Sequence, residues 1–583
     1  MPASNSGRTA GDVSVLERRI RVALGQEPGD LVLTGGRVVN VFTCQVEPAN
    51  VVIADGWIAG VGPFDWQARE TIQLDGRSVL PGLVDAHMHL ESTLLMPAEL
   101  ARVVVPHGTT AIVSDPHEVG NVLGVRGIEL LLAASECLPL DQYFMAPSCV
   151  PATSWEDAGA VLGATEVQEL LGRQRVLGLA EVMDFPAVLR GERGLLEKVG
   201  AALRHNRAVD GHAPGMTGQT LVAYAAAGIR SDHESSTAEE ALAKASLGWL
   251  VQVREGSSAR NLDTLLPLMA ADRLGDWCLA TDDILPNDLV RDGHLDGLLR
   301  RVVAGGVSPA QAVRHTTLIP SRHYGLANRG AVAPAYHADL VVVDDLRSFG
   351  VRIVIKDGRI VARQGRCVAD LRPPPTSYEN TIRVGPLDES DFELRLTRDP
   401  CPVIAIVPDQ IVTRYEEQPV PRENGRWLFD SDRDLLLIAS IERHRATGRV
   451  GLGLVRGFGL RKHGALGSSV GHDSHNLVVA GTNPRDMLVC VRALTETGGG
   501  FVAVAGAEVL ARLPLPVAGL LSTDPVDSVC RQLQDVEQAA RSLGCPLNAP
   551  FGTLSFLALS VIPELRITDQ GLFDVRTQQF LRL

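Results

Sequence analysis

The length and composition of the chain predict a folded protein of several domains. With 583 residues it exceeds what one hydrophobic core ordinarily organises, so two or three domains are expected. Apolar residues make up 45% and charged residues 21%, as in typical globular proteins, and a formal net charge of −14 argues against a surface that binds nucleic acid.

Cysteine usage and the absence of long apolar runs indicate the cellular location of the protein. The nine cysteines are scattered and include no Cys-x-x-Cys pair, which favours reduced thiols over a structural zinc site. No stretch has the apolar core of a signal peptide or approaches the ~18 apolar residues that cross a membrane. We therefore expect a cytoplasmic protein without membrane association.

The N-terminal region predicts one helix followed by strands. Apolar residues recur at helical spacing over residues 13–24, with Val13, Leu16, Ile20 and Leu24 on one face of an amphipathic helix. The segments DLVLTGGRVVN, NVVIADGWIAGVG and ETIQLDGRSVLPG are rich in strand-forming residues. Asp-Gly pairs at residues 55–56 and 75–76 are typical of hairpin turns between them.

A second strand-rich block, at residues 338–366, resembles the first and has an Asp-Gly turn at 357–358. We expect the two blocks to pair in one small β-sandwich, with the intervening chain inserted between them. A proline-rich segment, LRPPPTSYENT, then predicts a linker to a C-terminal region of mixed strands and helices.

The central region alternates short apolar runs with helix-like stretches. Eight such β-α repeats in roughly 240 residues match the size of a (β/α)8 TIM-like barrel, an α/β fold. The eight candidate strands are PGLVDAH, TTAIVSD, QYFMAPS, VLGLAEV, AVDGHA, GIRSDH, LVQVRE and WCLATDD. The expected domains are 1–82 (helix and first part of the sandwich), 83–326 (barrel), 327–372 (second part of the sandwich) and 383–583 (α+β).

Polar side chains of the metal-ligand type lie where these apolar runs stop. In a (β/α)8 barrel the C-terminal ends of all strands open onto one face, so these side chains are expected to converge. They are His87 and His89 after strand one, His117 and Glu118 after strand two, Glu181 after strand four, His212 after strand five, His233 after strand six and Asp282 after strand eight.

The residue types in this set predict a metal-dependent hydrolase. His87 and His89 face the same side because residues i and i+2 of a strand do so. Two more histidines and two carboxylates suffice for two divalent ions if one carboxylate bridges them, and N/O donors without thiolate suit Zn²⁺, Mn²⁺ or Fe²⁺. A paired-metal site generates hydroxide at neutral pH, and a carboxylate such as Asp282 could pass its proton to the leaving group.

These residues resemble the amidohydrolase superfamily. PGLVDAHMHLES, residues 81–92, is similar to its first-strand motif, and the split sandwich is similar to its usual frame. The resemblance implies ligands at His212, His233 and Asp282. Many members bridge the metals with a carbamylated lysine on strand four, whereas LGLAEVMDF offers Glu181 and no lysine, which narrows the resemblance to glutamate-bridged members.

Finer details resemble the bacterial adenine deaminase family over nearly the whole chain. The matching blocks, in that family's order, are HMHLES, SDPHEVGNVLG, APSCVPAT, LGLAEVMDF, DGHAPG, SDHES, VREGSSARNL, TDD with DGHLD, and the C-terminal GHDSHNLVVAGTN. The resemblance implies hydrolytic deamination of free adenine to hypoxanthine and ammonia, with a metal-activated hydroxide attacking C6. It implies two Mn²⁺ or Fe²⁺ ions, with Zn²⁺ as the alternative, and we expect a homo-oligomer, a dimer being favoured.

Roles are assigned on this basis. The expected metal ligands are His87, His89, Glu181, His212, His233 and Asp282. Glu181, His233 and Asp282 are also expected to be catalytic, with Asp282 as the proton shuttle. One of the two histidines from strands five and six could instead contact the substrate or the hydroxide.

Other polar residues near the strand ends have open roles. Glu91, Ser92, His117 and Glu118 either read the purine edge or have structural roles in loops and helix caps. His472, Asp473 and His475 either close the barrel mouth, hold an extra ion or form a structural hydrogen-bond cluster. Arg254 and Glu255 either pair with each other or contact the ligand.

Three alternative functions are weighed. Another amidohydrolase, such as a dihydroorotase, a hydantoinase or an N-acetylglucosamine-6-phosphate deacetylase, is disfavoured by the long C-terminal region, and the first two also by the missing lysine. A serine hydrolase is suggested only by Gly467-Ser-Ser-Val-Gly471, centred on Ser469, which leads into a strand rather than the required helix. A non-catalytic scaffold of the same fold would have lost metal ligands, and none of the expected positions is substituted.

Overall fold

The computed structural model describes residues 12–371, 378–408 and 410–583, so most of the predicted proline-rich linker lies outside the described residues. Among the described residues, no helix combines the length and apolarity needed to span a membrane. The chain begins with helix α1 (Val13–Ala23) and strands β1 (Gly29–Thr34), β2 (Arg37–Asn40), β3 (Gln45–Pro48), β4 (Asn50–Ala54), β5 (Trp57–Gly62), β6 (Ala68–Gln73) and β7 (Ser78–Pro81).

Helix α1 forms where the sequence predicts it, but it packs through a different face. Asp12 caps its first turn by accepting a hydrogen bond from the Ser14 N–H at 2.9 Å. Val15 and Val22 are buried, whereas Val13 and Ile20 are 66% and 60% exposed. The regularly spaced apolar face therefore points to solvent, because strands β4 and β5 contact the opposite side of the helix.

The barrel follows the first strand block. Its eight parallel strands are β8 (Leu83–Met88), β9 (Thr109–Ser114), β10 (Asp141–Ala146), β11 (Val176–Val182), β12 (Ala208–Gly211), β13 (Ser231–Asp232), β14 (Leu250–Arg254) and β15 (Trp277–Ala280). β8 to β12 pair in chain order, as do β13 to β15. The predicted barrel is thus confirmed, although the sixth strand has only two residues.

Contacts between the first and last strands close the barrel. The Asp282 N–H donates to the His87 carbonyl at 3.0 Å, and the His89 N–H donates to the Asp282 carbonyl at 3.2 Å. At the start of β8, a Cβ at Gly82 would clash with the side chain of Thr110, so glycine permits the close approach of β8 to β9. These contacts place both histidines beside Asp282.

Helices surround the barrel and alternate with its strands. They are α2 (Pro97–Val104), α3 (His117–Leu123), α4 (Val125–Ala134), α5 (Ala164–Leu171), α6 (Phe185–Arg190), α7 (Arg193–Arg204), α8 (Gly218–Ala226), α9 (Ala238–Ser246), α10 (Leu262–Ala270), α11 (Pro286–Asp292), α12 (Leu295–Ala304) and α13 (Pro309–His323). Short 3-10 turns at Glu91–Thr93 and Val105–His107 precede and follow α2.

The second strand block joins the first, as predicted. It comprises β16 (Leu340–Val343), β17 (Val351–Lys356), β18 (Arg359–Arg363) and β19 (Arg366–Cys367). β16 pairs with β7 in a seven-stranded sheet of order β19-β18-β17-β16-β7-β2-β3, and a four-stranded sheet has the order β5-β4-β1-β6. Apolar side chains from both sheets form a shared core, which is the expected sandwich.

Two of the three predicted hairpins form. The Asp-Gly pairs at 55–56 and 357–358 join β4 to β5 and β17 to β18, and the residues flanking each turn pair antiparallel. Asp75 and Gly76 also adopt positive φ values, of 52° and 83°. The third hairpin prediction is nevertheless wrong, because this turn passes from β6 in one sheet to β7 in the other.

The C-terminal region has the predicted mixed α+β character. Its main sheet has eight strands, with the order β21-β20-β25-β24-β27-β26-β28-β29. The elements are β20 (Cys401–Ile406), β21 (Thr413–Gln418), β22 (Arg422–Glu423), β23 (Arg426–Trp427), β24 (Leu435–Ile441), β25 (Val450–Arg456), β26 (Ala465–Ser468), β27 (Leu477–Gly481), α14 (Pro484–Thr497), β28 (Gly500–Ala505), β29 (Glu508–Pro514), α15 (Val526–Ser542), α16 (Pro550–Phe556), β30 (Leu565–Thr568), β31 (Gly571–Asp574) and β32 (Gln579–Phe580), with a 3-10 turn at Glu389–Phe392. The domain boundaries drawn from the sequence stay a prediction.

Candidate metal centre

A cavity lies at the C-terminal ends of the barrel strands, against the C-terminal region. Five of the six residues expected to bind metal line it, and His87 lies buried beside them. The side chains come from the ends of five different strands, as the barrel requires. Residues far apart in sequence therefore meet in one place.

The first group of donors surrounds one oxygen of Asp282. Its Oδ1 lies 3.1 Å from His89 Nε2 and 3.5 Å from His87 Nε2, and Glu181 Oε1 is 3.5 Å from His89 Nε2. Asp282 itself has a φ of 55°, in the left-handed region, where the chain turns sharply after β15. The turn directs its carboxylate toward the two histidines.

The second group of donors surrounds the other oxygen of Glu181. Glu181 Oε2 lies 2.6 Å from His212 Nδ1 and 3.3 Å from His233 Nε2. Glu181 thus presents one oxygen to each group, and each group holds its ligand atoms within 4.8 Å of one another. This is the arrangement that a bridging carboxylate needs.

The donor set fits divalent metal ions. His87 Nε2 is buried and has no hydrogen-bond partner among the described residues. A buried polar atom without a partner is costly, and a cation in contact with it would remove that cost. Nitrogen and carboxylate donors without thiolate suit borderline and hard divalent cations.

Charge coupling dominates the electrostatics of the site. Burial disfavours the ionised form of Glu181, yet His233 and His212 hold the pKa of its carboxyl well below the usual range. Burial likewise opposes ionisation of Asp282, and Arg254 together with His87 and His89 holds its pKa well below the usual range. Both carboxylates are therefore charged and suited to hold cations.

Arg254 has a partner that the sequence interpretation missed. Its guanidinium donates to Glu234 at 2.6 Å and to Asp282 Oδ2 at 2.7 Å, which ties the ends of strands six and eight together. The suggested pair between Arg254 and Glu255 is wrong, because Glu255 instead pairs with Arg301. Glu234 directly follows the predicted ligand His233, and this adjacency was the available sequence signal.

Buried aspartates behind the ligands fix the strand ends. Asp85 accepts a 2.6 Å hydrogen bond from the Thr281 hydroxyl, which joins β8 to the end of β15. Asp232 accepts hydrogen bonds from Lys244 Nζ at 2.6 Å and from the Ala213 N–H at 2.8 Å. Since Ala213 follows His212 and Asp232 precedes His233, one carboxylate orients the segments of both candidate ligands.

The four residues proposed to contact the purine divide into two pairs. His117 and Glu118 line the cavity, but Glu91 and Ser92 do not appear among its lining residues. Glu91 accepts a hydrogen bond from the Val119 N–H at 3.0 Å, and the Ser92 hydroxyl donates to Asp283. Glu91 therefore contacts the first turn of helix α3, and Ser92 contacts Asp283, which itself lines the cavity.

The C-terminal segment at residues 472–475 reaches the barrel mouth. His472 and Asp473 line the cavity, and Asp473 Oδ1 lies 3.6 Å from His117 Nε2. His472 Nδ1 lies 3.5 Å from Glu118 Oε1. His475 is fully buried behind them, with its Nε2 3.9 Å from Glu118 Oε2. The segment therefore closes one side of the cavity.

Ser469 has a structural role, which removes the support for a serine hydrolase. It is fully buried in the C-terminal region. Its hydroxyl donates to the Gly519 carbonyl at 2.6 Å and accepts from the Gly500 N–H at 2.7 Å. The hydroxyl joins separate backbone segments and has no general base beside it among the described contacts.

Comparison with protein families agrees with this geometry. The amidohydrolase family model matches residues 78–361, and the model of the adenine deaminase C-terminal domain matches residues 410–579. The barrel and its histidine–carboxylate cluster define a hydrolase of the amidohydrolase type with a divalent metal centre.

Curated relatives narrow the assignment. The chain is 45% identical to an adenine deaminase of Methanothrix thermoacetophila over 563 residues, covering 96% of this chain and 98% of the relative. It is 45% identical to one from Nitratidesulfovibrio vulgaris over 570 residues, covering 97% and 98%. The chain belongs to the adenine deaminase family.

Solved structures are similar at a lower level. An adenosine deaminase from Xanthomonas campestris with bound zinc is 16% identical, with a TM-score of 0.42, covering 59% of this chain and 95% of that chain. A β-aspartyl dipeptidase from Fervidobacterium islandicum is 14% identical, with a TM-score of 0.44, covering 58% and 98%.

Proposed function

We propose that this chain hydrolyses free adenine to hypoxanthine and ammonia at a centre that holds two divalent metal ions. The observation that carries the proposal is the carboxylate of Glu181, whose two oxygens face two separate groups of ligands. Membership of the adenine deaminase family supplies the substrate. The proposed ligands are His87, His89, Glu181, His212, His233 and Asp282, and the favoured ions are Mn²⁺ or Fe²⁺.

The reaction consumes one water molecule. When bound, the metal pair would activate that water and polarise the amidine under attack. The water oxygen bonds to C6, the C6–N bond breaks, and the amino group leaves as ammonia. Asp282 accepts the proton that the water loses and passes it to the departing amino group.

Other residues orient and enclose the substrate in this proposal. Arg254 holds Asp282 through its Oδ2, which leaves Oδ1 directed at His87 and His89. His117 and Glu118 line the cavity and are proposed to contact the purine edge. His472 and Asp473 close the cavity from the C-terminal side and limit the entry of bulk water.

A metal-supplemented assay of ammonia release tests the proposal. Protein expressed with Mn²⁺ or Fe²⁺ is supplied with adenine, adenosine or cytosine in parallel. We expect turnover of adenine, a stoichiometry near two ions per chain, and loss of activity on chelation. Turnover of adenosine but not adenine would overturn the proposed substrate. Cytoplasmic location and a homo-oligomeric state stay predictions, and sedimentation of the metal-loaded protein tests the latter.

A further inference from the structure

One part of the cavity lining is apolar and belongs to the C-terminal region. The barrel side of the cavity presents histidines, carboxylates and Arg254, with Met183 as its apolar member. The apolar lining from the C-terminal region, which we call the apolar cover, consists of Ile411, Phe556, Leu559, Val561 and Ile562. A flat heteroaromatic substrate therefore finds an apolar surface on one side only.

The apolar cover is continuous with the polar site. The ring of Phe556 stacks on that of His472, with a centroid distance of 4.7 Å and an interplanar angle of 20°. His472 in turn lies 3.5 Å from Glu118, which faces His89 in the metal cluster. Phe556 thus extends the ring surface outward from the reacting centre.

A buried arginine organises the apolar cover. Arg566 is fully buried, and its guanidinium donates to four backbone carbonyls. Three of them belong to members of the cover: Ile562 at 2.6 Å, Phe556 at 2.9 Å and Ile411 at 2.8 Å. The fourth belongs to Pro563, at 3.0 Å. One side chain therefore fixes both backbone segments that form the cover.

The charge of Arg566 makes this arrangement costly for folding alone. No carboxylate lies within salt-bridge distance of Arg566 among the described residues, and burial lowers the pKa of its guanidinium to about 9. An apolar residue of similar volume could fill the space without that desolvation cost. Such an apolar residue has no hydrogen-bond donors, so it could not hold several carbonyls of two irregular segments at fixed positions.

We propose that Arg566 is a positioning residue that fixes the apolar cover against the face of the purine, and that the cover confines the site to the free base. The inference rests on the proposed function and deepens it. C6 of the base must face the ligand groups, so the five-membered ring, which carries N9, lies farther from them with its face under the cover. A sugar on N9 would project out of the plane of the base and displace Phe556 and its neighbours.

Steady-state kinetics of Phe556→Ala, with adenine and adenosine as probes, test this inference. Stacking of a base on an aromatic ring contributes about 1–3 kcal/mol, so KM for adenine should rise about 5- to 150-fold. The metal ligands are untouched, so kcat and metal content should stay within about twofold of wild type. The preference for adenine over adenosine, expressed as a ratio of kcat/KM values, should fall.

Phe551 on the same helix supplies the matched control. It is only 2% exposed, stacks on Phe501 and does not line the cavity. Phe551→Leu should lower thermal stability and leave KM unchanged, whereas Phe556→Leu should raise KM with a smaller loss of stability. Equal KM values for Phe556→Leu and wild type would overturn the inference, whether or not Phe556→Ala folds.

Variants of Arg566 test the positioning role. Arg566→Met should raise KM for adenine at least about fivefold with little change in kcat, because the cover loses its fixed position. Arg566→Lys should raise KM less than Arg566→Met does, since an ammonium can still donate to three carbonyls. If Arg566→Met lowers stability but leaves KM and the adenosine ratio unchanged, the residue is structural only. Wild-type protein inactive on adenine would instead refute the proposed function.

Discussion

Glu181 shares its carboxylate between two groups of histidines. Its amide analogue has the same shape but loses the charge that holds both groups together. Glu181→Gln should therefore lower kcat/KM for adenine more than about 100-fold, since even outer partners of metal ligands cost 10- to 100-fold. Bound metal, measured by mass spectrometry, should fall to one ion per chain or fewer.

The matched control for this substitution is Glu197→Gln on helix α7. Glu197 is 49% exposed and pairs only with Arg193 in the described structure, so its substitution should change neither activity nor metal content. Near-normal turnover and two ions in Glu181→Gln would show that this carboxylate is not the bridge.

Glu156 gives a pH dependence that is separate from the metal ligands. Burial, with the charges of Asp473 and Asp569, raises the pKa of its carboxyl from 4.5 to about 8, against hydrogen bonds from Ser474 and Ser560. Its contribution to stability is complete below pH 4.5 and is lost as pH rises toward 8, by about 1.4 kcal/mol per unit.

Glu156→Gln removes this titration, so the variant should gain stability relative to wild type as pH rises from 5 to 8. Denaturant unfolding at three pH values measures the difference in the free energy of unfolding. A difference that stays constant with pH would contradict the assignment. Glu197→Gln again serves as the control, with no expected trend.

The proposed metal ligands were predictable at the residue scale because each lies at or just after the C-terminal end of a strand and is of a residue type that is rare in cores. For His87, His212 and His233, the residue type and its place at the end of an apolar run are enough to mark each one as a candidate. Phe556 does not, because an apolar residue in a helix has the same pattern whether it faces a core or a cavity. Arg566 also lacked a signal, since its partners are backbone carbonyls, which any sequence supplies.

At the scale of elements, helix α9 supports two barrel strands through a single side chain. Lys244 extends from α9 to Asp232, and both side chains are at most 1% exposed. Removing the ammonium from such a pair leaves a buried charge and costs about 3–5 kcal/mol. Because Asp232 also orients the segments of His212 and His233, weaker metal binding should accompany the lost stability.

Lys244→Met should thus lower both the free energy of unfolding and the metal affinity, measured by competition with a chelator. Lys244→Arg should recover part of the metal affinity, because a cation again faces Asp232. Lys462→Met, at an exposed position, should change neither quantity. Unaltered metal affinity in folded Lys244→Met would limit the pair to a role in stability.

The order of the helices and strands could be predicted from the sequence, because the spacing of apolar residues and the turn-forming residues act locally. The two Asp-Gly hairpins and most barrel strands are examples. The turn at Asp75 shows the limit, because local geometry fixes the turn but not which sheet its flanking strands enter. Helix α1 shows a second limit of prediction from local sequence. The apolar spacing predicts the helix, but contacts with β4 and β5 decide which of its faces is buried.

At the scale of the whole molecule, the barrel and the C-terminal region share one site and are tied together beside it. The loop after β10 supplies Asp157, whose carbonyl accepts a hydrogen bond from Asn476 at 2.8 Å. Arg449 lies 2.6 Å from Asp157 and 3.1 Å from Asp569. These contacts adjoin the segment that carries His472, so they hold the C-terminal wall of the cavity in place.

The two ends of β25 allow this link to be tested. Arg449 precedes the strand and bridges to the barrel loop, whereas Arg456 ends it and pairs with Glu416 within the C-terminal region, at 2.7 Å. Their side chains are 46% and 45% exposed, but Asp569 is fully buried whereas Glu416 is 36% exposed. Arg456→Met should therefore cost less than about 1 kcal/mol of stability, and Arg449→Met should cost more because it leaves a buried carboxylate unpaired. Only Arg449→Met loosens the cavity wall.

KM for adenine should therefore rise roughly three- to fivefold in Arg449→Met, with kcat within about twofold of wild type. Arg456→Met should leave both constants unchanged, although the arginine is exposed to nearly the same extent. Higher salt should raise KM of the wild type only part of the way toward that of Arg449→Met, because salt screens the half-exposed arginine but has little effect on its contact with the buried Asp569. If the two variants behave alike, closure of the cavity depends on the apolar contacts between the regions rather than on this ion pair.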